Sequence, residues 1–174
     1  MIMKAGKLKE SILKRSVLKQ LHNRRTDVLV APAVGGDYGA IEATEDLAVV
    51  ISSDPITLTK EEIGSSAIMA ACNDVCCSGA IPRAVSVTVL LPTEFNEQEL
   101  KDLIKNLDVA CEICQVDIVN GHTEVTRAVK DPVVVVTAIG TVRKKEMLHS
   151  RDVRPGMDIV ATKWVGLEGT AILA

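Results

Sequence analysis

The 174 residues suffice for one domain that buries roughly two-thirds of its unfolded surface, so neither disulfides nor a structural metal is needed to hold a core. With 47% hydrophobic and only 2% aromatic residues, the core must be built from Val, Ile, Leu and Ala, and the composition argues against an aromatic platform for stacking nucleic-acid bases. Net charge is −3 but uneven: residues 1–25 carry eight Lys or Arg against the single Glu10, and the remainder is acidic. A basic front end can meet a membrane or a nucleic acid; the plainer reading is a solvated helix face near an acidic or phosphate-filled site. No run approaches the roughly 20 apolar residues that span a bilayer, and five Cys, an odd number on helix-like patterns, fit reduced thiols in a cytoplasmic protein.

From Lys7 to Leu21 the apolar residues Leu8, Ile12, Leu13, Val17 and Leu21 recur at three- and four-residue steps, which predicts an amphipathic opening helix. A short apolar run after Asp27 gives way to Gly35-Gly36-Asp37-Tyr38-Gly39, too glycine-rich for regular structure, so a specially shaped loop is expected there. Leu47 to Ser52 reads as a strand closed by Pro55, which puts Asp54 at a strand end. Glu61 to Ser78 reads as a helix with a small-residue face and with Asn73 and Asp74 inside it.

Val85 to Leu91 alternates like a strand. Asn96, with Glu99 three residues on, opens the clearest helix of the chain through a capping box, and its apolar face runs from Leu100 to Cys114. Val116 to Val119 is expected as a short strand leading into a polar turn, Asn120-Gly121-His122-Thr123-Glu124. A Val-rich strand follows at Val133–Ile139, then a turn at Pro155-Gly156 and a strand at Ile159–Thr162. The run Gly166 to Ala174 reads as the opening of a further apolar element. The expected organisation is a basic helix over 1–25, one domain over 26–162 and the start of a second over 163–174.

Neither a P-loop nor a Rossmann glycine motif is present. What remains is a set of polar residues at expected element ends or on the close-packed helix: Asp37, Asp54, Asn73, Asp74, His122 and Glu124. Carboxylates suit Mg²⁺, which takes one or two of them and completes its octahedron with water and phosphate oxygens. Taken singly, Asp37 and Asp54 also read as turn formers, and Asn73-Asp74 as local hydrogen-bonding residues. Asp74 inside an apolar helix is harder to explain that way, because a buried carboxylate needs a partner. Cys111-x-x-Cys114 lies at the far end of a long helix on its apolar face, so core packing is favoured over redox or zinc chemistry. His22 and His149 read as surface residues.

The segments NDVCCSGAIP (Asn73–Pro82), GHTEVT (Gly121–Thr126), SDPIT (Ser53–Thr57) and GTAILA (Gly169–Ala174) together resemble the aminoimidazole ribonucleotide (AIR) synthetase superfamily. Within it the chain is most similar to the hydrogenase-maturation HypE group and its AIR-synthase-related relatives. The resemblance implies an α+β N-terminal domain that dimerises through its sheet and binds ATP with Mg²⁺, and, for a HypE-like protein, a carbamoyl-transferring maturation partner. It implies Asp37, Asp54 and Asp74 as metal and phosphate ligands, Asn73 as a nucleotide contact, and Gly121, His122, Thr123 and Glu124 as a phosphate-side loop; catalytic residues stay unassigned. Many members carry Asp at the position of His122, and HypE adds a second domain and a Cys-bearing tail beyond the segment present here. The alternative is an inactive domain that serves dimerisation or partner binding.

Overall fold

The computed structural model describes residues 5–22, 25–57, 62–161, 163–167 and 170. Its framework is a six-stranded sheet in the order β1 (Val28–Val30), β2 (Gly39–Glu42), β3 (Leu47–Ile56), β6 (Val133–Arg143), β4 (Ile81–Leu91), β5 (Asp117–Val125). Neighbours are antiparallel except β4 and β5, whose parallel pairing needs a crossover, supplied by helix α3 (Glu97–Cys114). Helix α2 (Ile63–Cys77) carries the chain from β3 over β6 to β4 and packs on all three strands. The expected α+β architecture is therefore present. Among the described residues no helix is long and apolar enough to cross a membrane.

Strand alternation decides where the core lies. Val134, Val136, Ala138 and Val142 of β6, Val85, Val87, Val89 and Leu91 of β4, and Ala48 and Val50 of β3 are buried on one face, beneath α2 and α3. Their β-branched side chains suit a pleated surface and dislike a helix. The helices bring Ala67, Ile68, Ala71, Val75, Leu103, Leu107 and Ala110 to the same layer. On the opposite face Val49, Ile51, Leu90, Val133, Val135 and Ile139 are only half-buried.

Gly140 sets the spacing between the layers, since a Cβ there would lie 2.5 Å from Val75 Cγ1 and 2.8 Å from the Ile81 carbonyl oxygen. The capping box read from the sequence holds: Asn96 Oδ1 accepts from the Gln98 and Glu99 amides at 2.9 and 3.0 Å, and Glu99 Oε2 accepts from the Asn96 amide at 2.8 Å.

Several local expectations are corrected. The opening helix is short, with α1 at Glu10–Ser16 and a 3₁₀ turn at Leu18–Gln20; Lys9 offers no capping side chain and β-branched Val17 ends the helix. Strand β2 was not expected. Strand β3 does not close at Asp54 but runs through Pro55 to Ile56, because β2 ends opposite Ile51 and β3 is an edge on that side, where a missing N–H costs nothing.

Nor do Asn120–Glu124 turn; they continue β5, paired residue by residue with Ser86–Leu90. As an edge strand exposed along its whole length, β5 tolerates the polar composition that had suggested a turn. Residues 159–161 form no strand, while Thr162, Glu168, Gly169 and Ala171–Ala174 lie outside the described residues, so most of the GTAILA segment does too.

The close layer contact gives a direct test. Gly140→Ala is expected to lower the free energy of urea unfolding by about 1–3 kcal/mol through overpacking, whereas Gly36→Ala, whose added Cβ meets nothing nearer than 3.6 Å, stays within about 0.5 kcal/mol of the parent. Equal stability of the two variants would contradict the packing described.

Candidate functional site

Three elements meet at Ser52. It occupies the next core-facing position of β3 after Ala48 and Val50, and is 5% exposed. Its hydroxyl oxygen lies 2.9 Å from the Asp37 carbonyl oxygen, 3.1 Å from Asp74 Oδ2 and 3.3 Å from Asp54 Oδ2. A serine hydroxyl carries one proton to donate, so it cannot satisfy three oxygen acceptors at once.

Burial, and to a smaller extent the neighbouring acidic groups, act on Asp74. The Asp74 carboxyl is pushed up from 3.8 to about 6, first by burial, then by a hydrogen bond shared with Asp54, with Ser52 opposing and the charges of Asp54 and Asp37 adding to the rise. Below about pH 6 the Asp74 carboxyl therefore carries a proton, a state favoured by burial first and by its hydrogen bond to Asp54 second. None of the ion pairs among the described residues involves Asp37, Asp54 or Asp74.

Sequence determines each position. Asp74 sits one turn before the end of α2, beside the buried Ala71 and Val75, so it borders the core without entering it. Asp54 follows Ser52 by two residues, on the same face of β3. Asp37 is carried by the glycine loop, which bends at Gly35 with φ +74°. That loop is tied down by Tyr38, whose hydroxyl donates to the Leu148 carbonyl and lies 3.3 Å from His149 Nδ1. Leu148 in turn donates its amide to the Ser78 carbonyl at the C-terminal end of α2, at 2.8 Å. His149 is half-buried against the Tyr38 ring, not a free surface residue; His22 is exposed as expected.

The residues expected as a phosphate-side loop divide between two faces. Gly121 lies in the same cross-sheet row as Asp54, through Val87 and Val136, and Thr123 continues on that helix-side face. His122 falls in the row of Thr88, Val135 and Pro55 and projects from the other face, as does Glu124; the two side chains pair with each other at 3.3 Å. Three strand spacings of about 4.8 Å separate β5 from β3, too far for a single metal ion to touch both. Gly121 also has a structural reason to be glycine: beside the β5 bulge, a Cβ would lie 2.4 Å from the Val87 carbonyl oxygen. Asn73 is exposed on α2, next to Asp74.

Among the described residues no three His, Cys, Asp or Glu side chains close on one point as a complete metal cage. The Asp54–Asp74 pair does fit Mg²⁺, which takes few carboxylates and relies on water and phosphate for the rest. A separate cleft of about 740 Å³, lined by Ile63, Phe95, Asp102, Leu103 and Lys130 among others, lies at the opposite end of α2 and shares no residue with the acidic cluster. The sequence reading gave Ser52 and Tyr38 no role in the site and took His149 for a surface residue. Only Ser52 left a signal there, a polar residue in a buried register.

A two-layer α+β domain whose carboxylates gather at the edge of the sheet, with no glycine phosphate motif, defines the class. The chain belongs to the AIR synthase related protein family, whose N-terminal domain profile matches residues 35–142. It is 26% identical to a protein of Methanocaldococcus jannaschii named for hydrogenase expression/formation, over 97% of this chain and 51% of that protein. It is 27% identical to the carbamoyl dehydratase HypE of Cupriavidus necator, over 80% and 42%, and 25% identical to the thiamine-monophosphate kinase of Pyrococcus horikoshii, over 96% and 52%. The chain thus spans about half the length of these relatives.

Among solved structures, Thermotoga maritima PurL complexed with ADP shares the fold with a TM-score of 0.61 at 19% identity, over 71% of this chain and 22% of that one. A HypE–HypF complex gives 0.52 at 23%, over 59% and 35%.

The raised Asp74 carboxyl sets a sign for pH dependence. The folded state keeps its proton to about pH 6 while the unfolded chain loses it near 3.8, so its stabilising contribution is complete below that lower value and is lost as pH rises through 6. Discounted for solvent screening, the loss is about 1 kcal/mol. In the absence of divalent cations, urea unfolding between pH 4 and 7 should show this decline in the parent protein and a smaller one in Asp74→Asn. Identical pH profiles would refute the assignment.

Proposed function

We propose that this chain is the Mg²⁺-ATP-binding part of an ATP-dependent enzyme of the HypE-like or AIR-synthase-related kind. The observation that carries the reading is the convergence of three acceptor oxygens on the single Ser52 hydroxyl with no ion-pair partner among the described residues, an arrangement that a divalent cation completes. Asp54 and Asp74 would hold the metal, with Asp37 on the glycine loop adding charge at the rim. Bound there, Mg²⁺ would neutralise phosphate oxygens and polarise the transferred phosphoryl group.

The chain's own residues supply position. Ser52 fixes the carboxylates against each other, and the Tyr38 tether holds Asp37 over them. Exposed Asn73 is assigned to the nucleotide, and Gly121 and Thr123, on the helix-side face three strands away, to the far end of an extended ligand. His122 and Glu124 project from the other face, and the assignment leaves them out of the metal shell. The carbamoyl-transferring maturation partner that the family resemblance implies is part of this proposal, supported by a relative, HypE, solved in complex with HypF, as is the whole enzyme's turnover.

A second reading has its own observation. The half-buried apolar face of Val49, Ile51, Val133, Val135 and Ile139, together with the exposed β5 edge, suits a homodimer formed through the sheets, and a domain serving assembly alone would need nothing more.

Calorimetry separates the two. Mg²⁺-ATP is expected to bind the parent protein, and Asp54→Asn and Asp74→Asn to bind it at least about tenfold more weakly, a loss of about 1.4 kcal/mol. Because Asp74→Asn relieves charge repulsion near neutral pH, its weaker binding would not reflect unfolding. A stable dimer that binds no Mg²⁺-ATP would select the assembly reading and discard the site.

A further inference from the structure

The cleft at the opposite end of α2 from the Ser52 cluster has a composition of its own. Its floor is apolar, formed by the buried side chains of Ile63, Pro92 and Leu103 with Phe95 half-buried beside them. Its rim is acidic: Glu62, Glu94, Glu99, Asp102 and Asp131 line it against Lys130. Glu62 and Glu94 take part in none of the ion pairs among the described residues. At about 740 Å³ the cleft is of the size that encloses a bound group.

The same chain carries the complement. The stretch from Lys7 to Leu21 sets Lys7, Lys9, Lys14, Arg15 and Lys19 against Glu10, so its balance of charge is the reverse of the rim's. Apart from the Lys14–Glu10 pair, none of these cations joins an ion pair among the described residues. In this stretch Ile12 alone is buried, while Leu8, Val17 and Leu21 are exposed. Helix α1 packs on the 3₁₀ turn that follows it, and no residue of either lines the cleft. The stretch thus presents apolar and basic side chains together, and its own domain covers few of them.

We propose that Lys7–Leu21 of one copy docks in this cleft of a second copy. Val17 and Leu21 cover the apolar floor, and Arg15 and Lys19 meet Glu62 and Glu94 at the rim. The apolar anchors hold the contact, and the charges set its register and speed the encounter. An anionic membrane or nucleic acid would satisfy the cations, but the acidic remainder of the chain would repel it and the cleft would stay unfilled. A neighbouring copy is favoured over the chain's own cleft by topology. The stretch leads into β1 at one edge of the sheet, and β2 and β3 separate that edge from the ends of β6 and β4 where the cleft lies. Reciprocal exchange would make two identical contacts, the closed arrangement usual in homodimers. This surface differs from the sheet face, and the inference does not depend on nucleotide binding.

The test mixes equal amounts of ¹⁴N- and ¹⁵N-labelled full chain, cross-links them with a carbodiimide, which joins a lysine directly to a carboxylate, and maps the peptides by mass spectrometry. Sedimentation velocity at about 0.05 and 0.5 M NaCl accompanies it. The expected result is a mixed-isotope cross-link from Lys14 or Lys19 to Glu62, Glu94, Glu99 or Asp102, with self-association that weakens in high salt. Arg15→Glu with Lys19→Glu, and Glu62→Lys with Glu94→Lys, should each remove that cross-link and weaken association at least about tenfold. An equimolar mixture of the two variants should regain both, which misfolding of either could not produce. A chain that stays monomeric, cross-links confined to one isotope, association indifferent to charge reversal, or variants that do not recover on mixing would each overturn the proposal.

Discussion

One hydroxyl proton is shared among three oxygen acceptors at Ser52, and much of the architecture serves to bring those acceptors together. They come from a strand, a helix and a loop, and two of them, the Asp54 and Asp74 carboxylates, repel each other unless the fold holds them together. The fold does so with apolar burial on one side and backbone tethers on the other. A proton keeps the arrangement tolerable at the expense of a displaced Asp74 titration. A cation would do the same without protonation.

Close approach between layers is what makes the gathering possible. Gly140 lets α2 settle against β6 beside Val75, the residue next to Asp74, so the height of the helix over the sheet and the distance between Asp74 and Ser52 are set together. At the far end of α2, Gly64 performs the same service against α3. The Tyr38 tether closes the third side by linking the glycine loop to the segment that follows β6, which is itself bonded to the end of α2. The site is thus fixed by packing contacts that contain none of the acidic residues.

The helices α2 and α3 were legible from periodicity, and the Asn96 capping box was readable to the atom because it depends only on residues three apart. Strand limits were not, since they depend on partners. Pro55 stays in β3 because β2 has already ended, and the polar run Asn120–Glu124 stays in β5 because an edge strand asks little of its side chains. Of the metal candidates only Asp74 was legible as unusual, a carboxylate inside an apolar helix; Asp37 and Asp54 read equally well as turn formers. Ser52 left only the faint signal of a polar residue in a buried register, and the division of Gly121 and Thr123 from His122 and Glu124 by strand register could not be seen while the segment was read as a turn. Tyr38 and His149 lie more than a hundred residues apart, and no local pattern joins them.

The central claim is that a divalent cation with nucleotide phosphate takes the place of the proton that Asp74 holds at mildly acidic pH. Carboxyl-carbon NMR of ¹³C-labelled Asp74, titrated with and without Mg²⁺-ATP, measures this directly. The expected result is an apparent pKa near 6 for the free protein that falls below the ordinary carboxylate range when Mg²⁺-ATP is bound. A titration that stays near 6 at saturating Mg²⁺-ATP would contradict it.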